Sequence, residues 1–233
     1  SDKSAAGTLT VLDTLTNSVT LDAENVDLGT VNNSGTMQIS GTAKFANGAI
    51  GGTVVYDGAA QTVQTNVTYG NLTLSGSGVK TATGTLTVSD SFINGVTLDA
   101  ENVALGTVDN TGTMKISGSA VWTGTSVGGT VEYDGADQNV AASQYANLIL
   151  SGSGTKTVAA DTFGATTLTQ NNGTTLKLAF VTDGTEWTAA NSTLAGTVEY
   201  AMDNSKVIAD DYTNLTLSGS ATAESKFVVS GNL

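Results

Sequence analysis

Apolar and polar residues alternate along this chain in short runs, and no segment follows a helical period. Thr53-Val54-Val55-Tyr56, Thr130-Val131-Glu132-Tyr133 and Thr197-Val198-Glu199-Tyr200 each put an apolar side chain at every second position. So do Asn71-Leu72-Thr73-Leu74, Asn147-Leu148-Ile149-Leu150 and Asn214-Leu215-Thr216-Leu217. Alternation at period two predicts strands with one buried face. The expected inward residues are Val54, Tyr56, Leu72 and Leu74, then Val131, Tyr133, Leu148 and Leu150, then Val198, Tyr200, Leu215 and Leu217. Stacked at one azimuth, they would bury continuous apolar ladders worth about 25 cal/mol per Å². No stretch carries helix start and stop signals around an apolar face.

These runs belong to a unit that appears three times: Gly52 to Thr81, Gly129 to Thr157, and Gly196 to Ser220. Gly7-Thr8-Leu9-Thr10-Val11 likewise returns as Gly84-Thr85-Leu86-Thr87-Val88, and Val19 to Val26 returns as Val96 to Val103. Repeat units are placed at 7–83, 84–160 and 161–224, with 225–233 beginning a further coil. The third unit is shorter, and the loss is placed between Leu168 and Leu176. Within a unit the runs start at Val19, Met37, Val54 and Leu72, a near-constant interval. That spacing predicts one strand per turn of a coil, about four coils per unit and about twelve in all, with parallel strands stacked along one axis. The fold class is therefore all-β, a parallel β-helix (β-solenoid) occupying 1–233 as one body. The alternative is tandem immunoglobulin-like β-sandwiches, for which the unit length is adequate. Against it, no unit is bounded by a polar linker and the spacing runs through the unit boundaries. Asn47-Gly48, Asn94-Gly95 and Asn172-Gly173 are expected corners with positive φ at glycine.

The repeat resembles that of bacterial surface and secreted proteins of the filamentous-haemagglutinin and adhesin-like parallel β-helix type. The resemblance is carried by Asn32-Asn33-Ser34-Gly35-Thr36, by Gly52-Thr53-Val54-Val55-Tyr56-Asp57-Gly58, by Gln61-Thr62-Val63, and by Tyr69-Gly70-Asn71-Leu72-Thr73-Leu74-Ser75-Gly76-Ser77-Gly78. It covers nearly the whole chain, twice in good form and once degraded. In the third copy Ala201-Met202 replaces Asp-Gly, and Ala221-Thr222 stands where Gly-x-Lys is expected. Such a resemblance implies an extracellular, cell-surface structural protein of a surface fibre, biofilm-matrix filament or surface layer. An adhesin stalk binding host or matrix glycans is the alternative it allows.

Composition narrows the chemistry. Of the 233 residues 12% are charged and 39% hydrophobic, and proline, cysteine and histidine are absent. A chain without proline suits strands paired on both edges. All eight basic residues are lysine. Without histidine the usual general base is missing, and without arginine so is bidentate phosphate recognition. A net charge of −13 opposes binding to nucleic acid or to an anionic membrane surface. No apolar run is long enough for a membrane-spanning helix, so no membrane insertion is expected.

Candidate chemistry rests on the acidic residues. Asp22 and Glu24 recur as Asp99 and Glu101, and Asp57 recurs as Asp134. Carboxylates with corner carbonyls could hold Ca²⁺, the one cofactor considered, but they form neither a calcium-binding nonapeptide nor an EF-hand loop. A solvated acidic face is the favoured reading. Asp210-Asp211 beside Tyr212 is the one adjacent acidic pair, the place to look for a carbohydrate-active enzyme, yet neighbouring strand residues point to opposite faces. No catalytic, cofactor-binding or metal residues are assigned, and the chain is read as a non-enzyme. The tyrosines are read as core rather than as sugar platforms. Asn71, Asn147 and Asn214 are expected to form an asparagine ladder or to satisfy corner amides. Leu9, Val11, Phe227, Val229 and Leu233 are expected at assembly ends, where the coil stack would be continued by the chain itself, head to tail, or by flanking repeats of a longer polypeptide.

Overall fold

The structure is a computed structural model and describes residues 1–46, 48–223 and 225–233. The fold is a parallel β-solenoid with 64% of residues in strands and about 13 turns. A single 3-10 turn, Ala189–Asn191, interrupts the strands among the described residues. The chain forms two compact units, residues 1–114 with 121–123, and residues 115–120 with 124–233.

In the first unit the coil geometry is visible in two long strands. Lys3–Asn17 pairs with Thr20–Asn33, and the register slips between Ala5 and Thr8 and again between Val11 and Thr14. Val79–Asn94 pairs with Thr97–Asn110 with the same two slips, after Ala82 and after Val88. Each slip is a β-bulge that bends the strand. Two bends per turn give a coil with three straight sides.

The apolar alternation becomes columns that run through successive coils. Leu21, Met37, Val54, Leu72 and Phe92 are in register, and so are Ala23, Ile39, Tyr56, Leu74 and Asn94. Most of these side chains are fully buried. Thr20, Thr36, Thr53 and Asn71 make a half-buried polar column beside them. Eleven of the twelve expected inward residues are buried. The exception is Leu217, 42% exposed where Leu74 and Leu150 are wholly covered.

Equivalent residues of successive repeats do not share an azimuth, contrary to expectation. Leu21 lies in the column of Val54 and Leu72, but its repeat equivalent Leu98 stands in register with Lys80 and Gln61, on the next side of the coil. The second unit repeats the step. Val131, Leu148 and Leu168 form one column, whereas the third-copy residues Val198 and Leu215 stack on Leu176, Lys156 and Gln138. A repeat is thus four coils and one further side. The extra side falls within Val79–Asn94, which lays three sides between the Leu72 and Val96 runs where the preceding interval, from Val54 to Leu72, holds two.

The shorter third unit has lost a whole coil. In the first copy Thr36–Ile39 lies between Thr20–Asn33 and Gly48–Tyr56. In the third copy Thr197–Tyr200 stacks directly on Thr174–Leu178. The deletion therefore follows Leu178 and does not lie between Leu168 and Leu176. Loss of a full turn keeps every inward side chain inward, because register is preserved. A loop at 179–191, with no counterpart in the other copies, follows the deletion point.

Of the expected corners, Gly48 and Gly173 have positive φ, whereas Gly95 does not. There the turn is made by the buried Asn94, whose side-chain amide caps the carbonyl of Val96 at 3.0 Å. Asn47 lies outside the described residues.

Candidate functional site

The polar residues buried in each repeat form two constellations. In the first, tyrosines pair hydroxyl to hydroxyl: Tyr56 with Tyr69 at 3.0 Å, Tyr133 with Tyr145 at 3.2 Å, and Tyr200 with Tyr212 at 2.9 Å. The Ala141 N–H donates to Tyr133 Oη at 3.0 Å, and Tyr145 Oη donates back to the Ala141 carbonyl at 2.5 Å. Tyr133 must then donate to Tyr145, which closes a ring of three hydrogen bonds. Ile208 closes the same ring with Tyr200 at 3.1 Å and Tyr212 at 2.8 Å. Burial pushes Tyr56, Tyr133 and Tyr200 up to about 12. Tyr69, Tyr145 and Tyr212 are raised further, by burial first and then by their partner tyrosines.

The second constellation is a lysine socket. Lys156 is fully buried, and its Nζ donates to the carbonyls of Gly135 at 2.6 Å and Ala136 at 2.7 Å and to Gln138 Oε1 at 2.7 Å. Gln138 in turn donates to the carbonyls of Ile116 at 2.8 Å and Gly118 at 2.9 Å, and accepts from Gly135 N–H at 2.9 Å. Lys80 and Gln61 build the same socket around Gly58, Ala59 and Ser77. Burial lowers both lysines, and Asp57 opposes the shift at Lys80 as Asp134 and Asp137 do at Lys156. In the third copy Ser205 stands at the glutamine position, Ala223 at the lysine position and Ala201 at the aspartate position, and the register partner of Ser205 is Ala221. The three members disappear together, as expected when each is costly to bury without the others.

The asparagine ladder is present, though not at the expected residues. Asn17 donates to Asn33 and Asn94 donates to Asn110, both at 2.8 Å and both buried. Asn71 and Asn147 instead cap the carbonyls of Gly52 at 3.1 Å and Gly129 at 2.9 Å, and Asn214 accepts from Asn232 N–H at 3.0 Å. The repeated acids act in the fold as well. Glu24 and Glu101 each accept a backbone N–H, from Gly7 and Gly84, at 2.9 Å. No group of three acidic side chains that could hold a metal ion occurs among the described residues.

One place departs from repetition, and it is the candidate site. The 179–191 loop buries Trp187, whose Nε1 donates to Asp210 Oδ2 at 2.7 Å, and Ser192 Oγ donates to the same oxygen at 2.5 Å. In the second copy the Gln144 N–H reaches across to the Thr125 carbonyl at 2.8 Å. Its equivalent, the Asp211 N–H, turns instead to Asp210 Oδ1 at 2.7 Å. The carboxylate thereby captures a ladder donor. Between Ser192–Leu194 and Asp211–Tyr212 the backbone bonding falls to Thr213 N–H on the Leu194 carbonyl at 3.3 Å. The parted edges border a cleft of about 690 Å³, lined by Thr193, Asp210, Asp211, Lys226 and Ser230 among others. In the same loop as Trp187, Glu186 is buried, and Oε1 accepts from Asp183 N–H at 2.9 Å while Oε2 has no hydrogen-bond partner. Burial raises its carboxyl above the ordinary glutamate range. The cleft offers hydroxyls, a carboxylate and an ammonium, which suits a polar ligand better than an apolar one.

Asp210 and Asp211 therefore do meet at one cleft, although Asp210 is buried and Asp211 exposed. Leu9 and Val11 lie half-buried on Lys3–Asn17, whose register partners are Val26 and Leu28. Val229 pairs with Tyr212, Phe227 sets its ring edge-on to Tyr212 at 6.1 Å, and Leu233 is 81% exposed. The buried lysines, glutamines and Trp187 were not singled out by sequence reasoning. Their signal was the joint change of Asp, Gln and Lys in the third copy. No protein family, curated protein or solved structure matches the chain.

Proposed function

We propose that this chain is a structural repeat segment of a bacterial surface fibre, matrix filament or surface layer, continued end to end by identical subunits or flanking repeats. The supporting observation is that the repeated polar residues are spent inside the coil, on tyrosine rings, lysine sockets and asparagine pairs. Each copy is moreover turned to the next side of the coil, so repetition extends the coil stack without multiplying a ligand on one face. The edge of Lys3–Asn17 opposite Thr20–Asn33 has no strand partner among the described residues, and such an edge accepts another strand. Electron microscopy of the purified chain at rising concentration should show linear assemblies, and Val11→Pro or Val229→Pro should abolish them while the central repeats stay folded. Turnover of a polysaccharide, lost in Asp210→Asn or Asp211→Asn, would overturn the reading in favour of an enzyme.

The cleft at Asp210 favours a second reading, an adhesive segment that binds a glycan there. A glycan array probed with the native chain and with Asp211→Ala tests it. Binding unchanged by the substitution would place any glycan elsewhere.

A further inference from the structure

We propose that Asn172-Gly173 is a site of spontaneous deamidation in the native protein, and that the identical dipeptide Asn94-Gly95 is protected by the fold.

The two asparagines sit in opposite circumstances. Asn172 is exposed at the tip of the turn that joins Gly164–Gln170 to Thr174–Leu178, and its side chain makes no hydrogen bond among the described residues. Gly173 has φ of 86°, and no heavy atom lies within 4 Å of the position a Cβ would occupy. The turn is closed by Thr174, through N–H at 3.4 Å and Oγ1 at 2.8 Å to the Asn171 carbonyl, which leaves the Gly173 amide outside the ladder. Asn94 is fully buried. Its Nδ2 donates to the Val96 carbonyl, Asn110 Oδ1 and the Thr113 carbonyl at 3.0, 2.8 and 3.2 Å. The Gly95 N–H is committed to the Leu74 carbonyl at 3.0 Å.

The chemistry needs a backbone nitrogen that can lose its proton and swing onto the neighbouring side-chain carbonyl. The deprotonated Gly173 nitrogen attacks Cγ of Asn172, a C–N bond forms, the Cγ–Nδ2 bond breaks, and ammonia leaves with the proton. The product is a five-membered succinimide. Water then adds to either of its two carbonyls and opens the ring, giving aspartate or isoaspartate. One water is consumed, one ammonia is released, and nothing is oxidised. Glycine favours the step because it carries no Cβ to shield its nitrogen and can reach the required backbone angles. At Asn94 the nucleophile is engaged in the ladder and the leaving group is held by three acceptors, so reaction requires opening of a core segment. Conversion adds a carboxylate to a chain of net charge −13, and the isoaspartyl product adds a methylene to the turn.

The test is peptide mapping by mass spectrometry after incubation of the whole native chain in mildly alkaline buffer made with heavy-oxygen water. Asn172 should convert, with label, more than about tenfold faster than Asn94, because core amides react only through rare opening. In denaturant the two rates should converge. Gly173→Ala should slow conversion at residue 172 and leave Asn94 unchanged. Equal rates in the native chain would overturn the proposal. So would an intact Asn172 over the time in which the denatured chain converts, or a Gly173→Ala chain that reacts as fast as the parent.

Discussion

Lys156 Nζ lies 2.7 Å from Gln138 Oε1, and both belong to a corner that the third repeat has dismantled residue by residue. Lys156→Met should therefore destabilise the second unit by about 3 kcal/mol, since it takes the ammonium away from the Gly135 and Ala136 carbonyls and leaves the buried Gln138 Oε1 with the Gly135 N–H alone. The combined change Asp134→Ala, Gln138→Ser, Lys156→Ala copies the third-copy corner and should recover a large part of that loss. Denaturant unfolding of the single and triple variants measures the coupling. Additive losses would show that the three residues do not act as a unit.

All six tyrosines belong to the three hydroxyl pairs. None should ionise near the usual value of 10, so an ultraviolet absorbance titration of the folded protein should stay flat there and rise only with unfolding. A phenol whose pKa is raised by folding keeps its proton when the unfolded chain has lost it. Stability from these groups is thus complete below about pH 10 and declines as pH rises above it. Tyr133→Phe should cost about 1–2 kcal/mol by opening one ring and leaving the Ala141 N–H unpaired.

Glu186 gives a signal at the acidic end. Its carboxyl is raised by burial from the ordinary 4.5, so the folded state holds the proton more tightly than the unfolded chain. The stability it contributes is present below that ordinary value and is lost as pH rises through the raised one. Glu186→Gln should remove this dependence and stabilise the protein at neutral pH. Thermal midpoints of parent and variant across pH 4 to 8, roughly the span in which a raised carboxyl titrates, provide the comparison.

Asp210 holds the ladder apart. Asp210→Ser restores the second-copy residue, Ser143, and should return the residue 211 N–H to the Ser192 carbonyl and narrow the cleft. It also removes the acceptor of the buried Trp187 N–H, at a cost of about 1–3 kcal/mol. Hydrogen exchange should show greater protection around 211–213 and less around 183–191. The reverse pattern would mean that the loop, rather than the carboxylate, parts the strands.

The alternation of Val54 with Tyr56 and of Leu72 with Leu74 made strands, inward faces and parallel stacking legible in the sequence, because side-chain period and burial are linked directly. The turn of each repeat by one side was not legible. It depends on where Val79–Asn94 bends, and a bulge leaves little mark on an apolar pattern. The buried places of Lys80 and Lys156 were not legible either, for a related reason. A lysine in an alternating run looks like an outward residue unless the carbonyls around its ammonium are known. The Asp210 cleft was half legible: the acidic pair stood out, whereas its partner Trp187 arrives from a loop that no repeat shares.

The three-sided coil also sets the currency in which this sequence can gain or lose length. Deleting one coil, as the third copy has done, leaves the sides facing as they did. Duplicating one whole repeat by unequal recombination would turn everything beyond it to the next side, and a third such event would bring it home. Lineages that keep a particular residue on a particular side should vary in single coils or in triplets of repeats, with single-repeat changes rare.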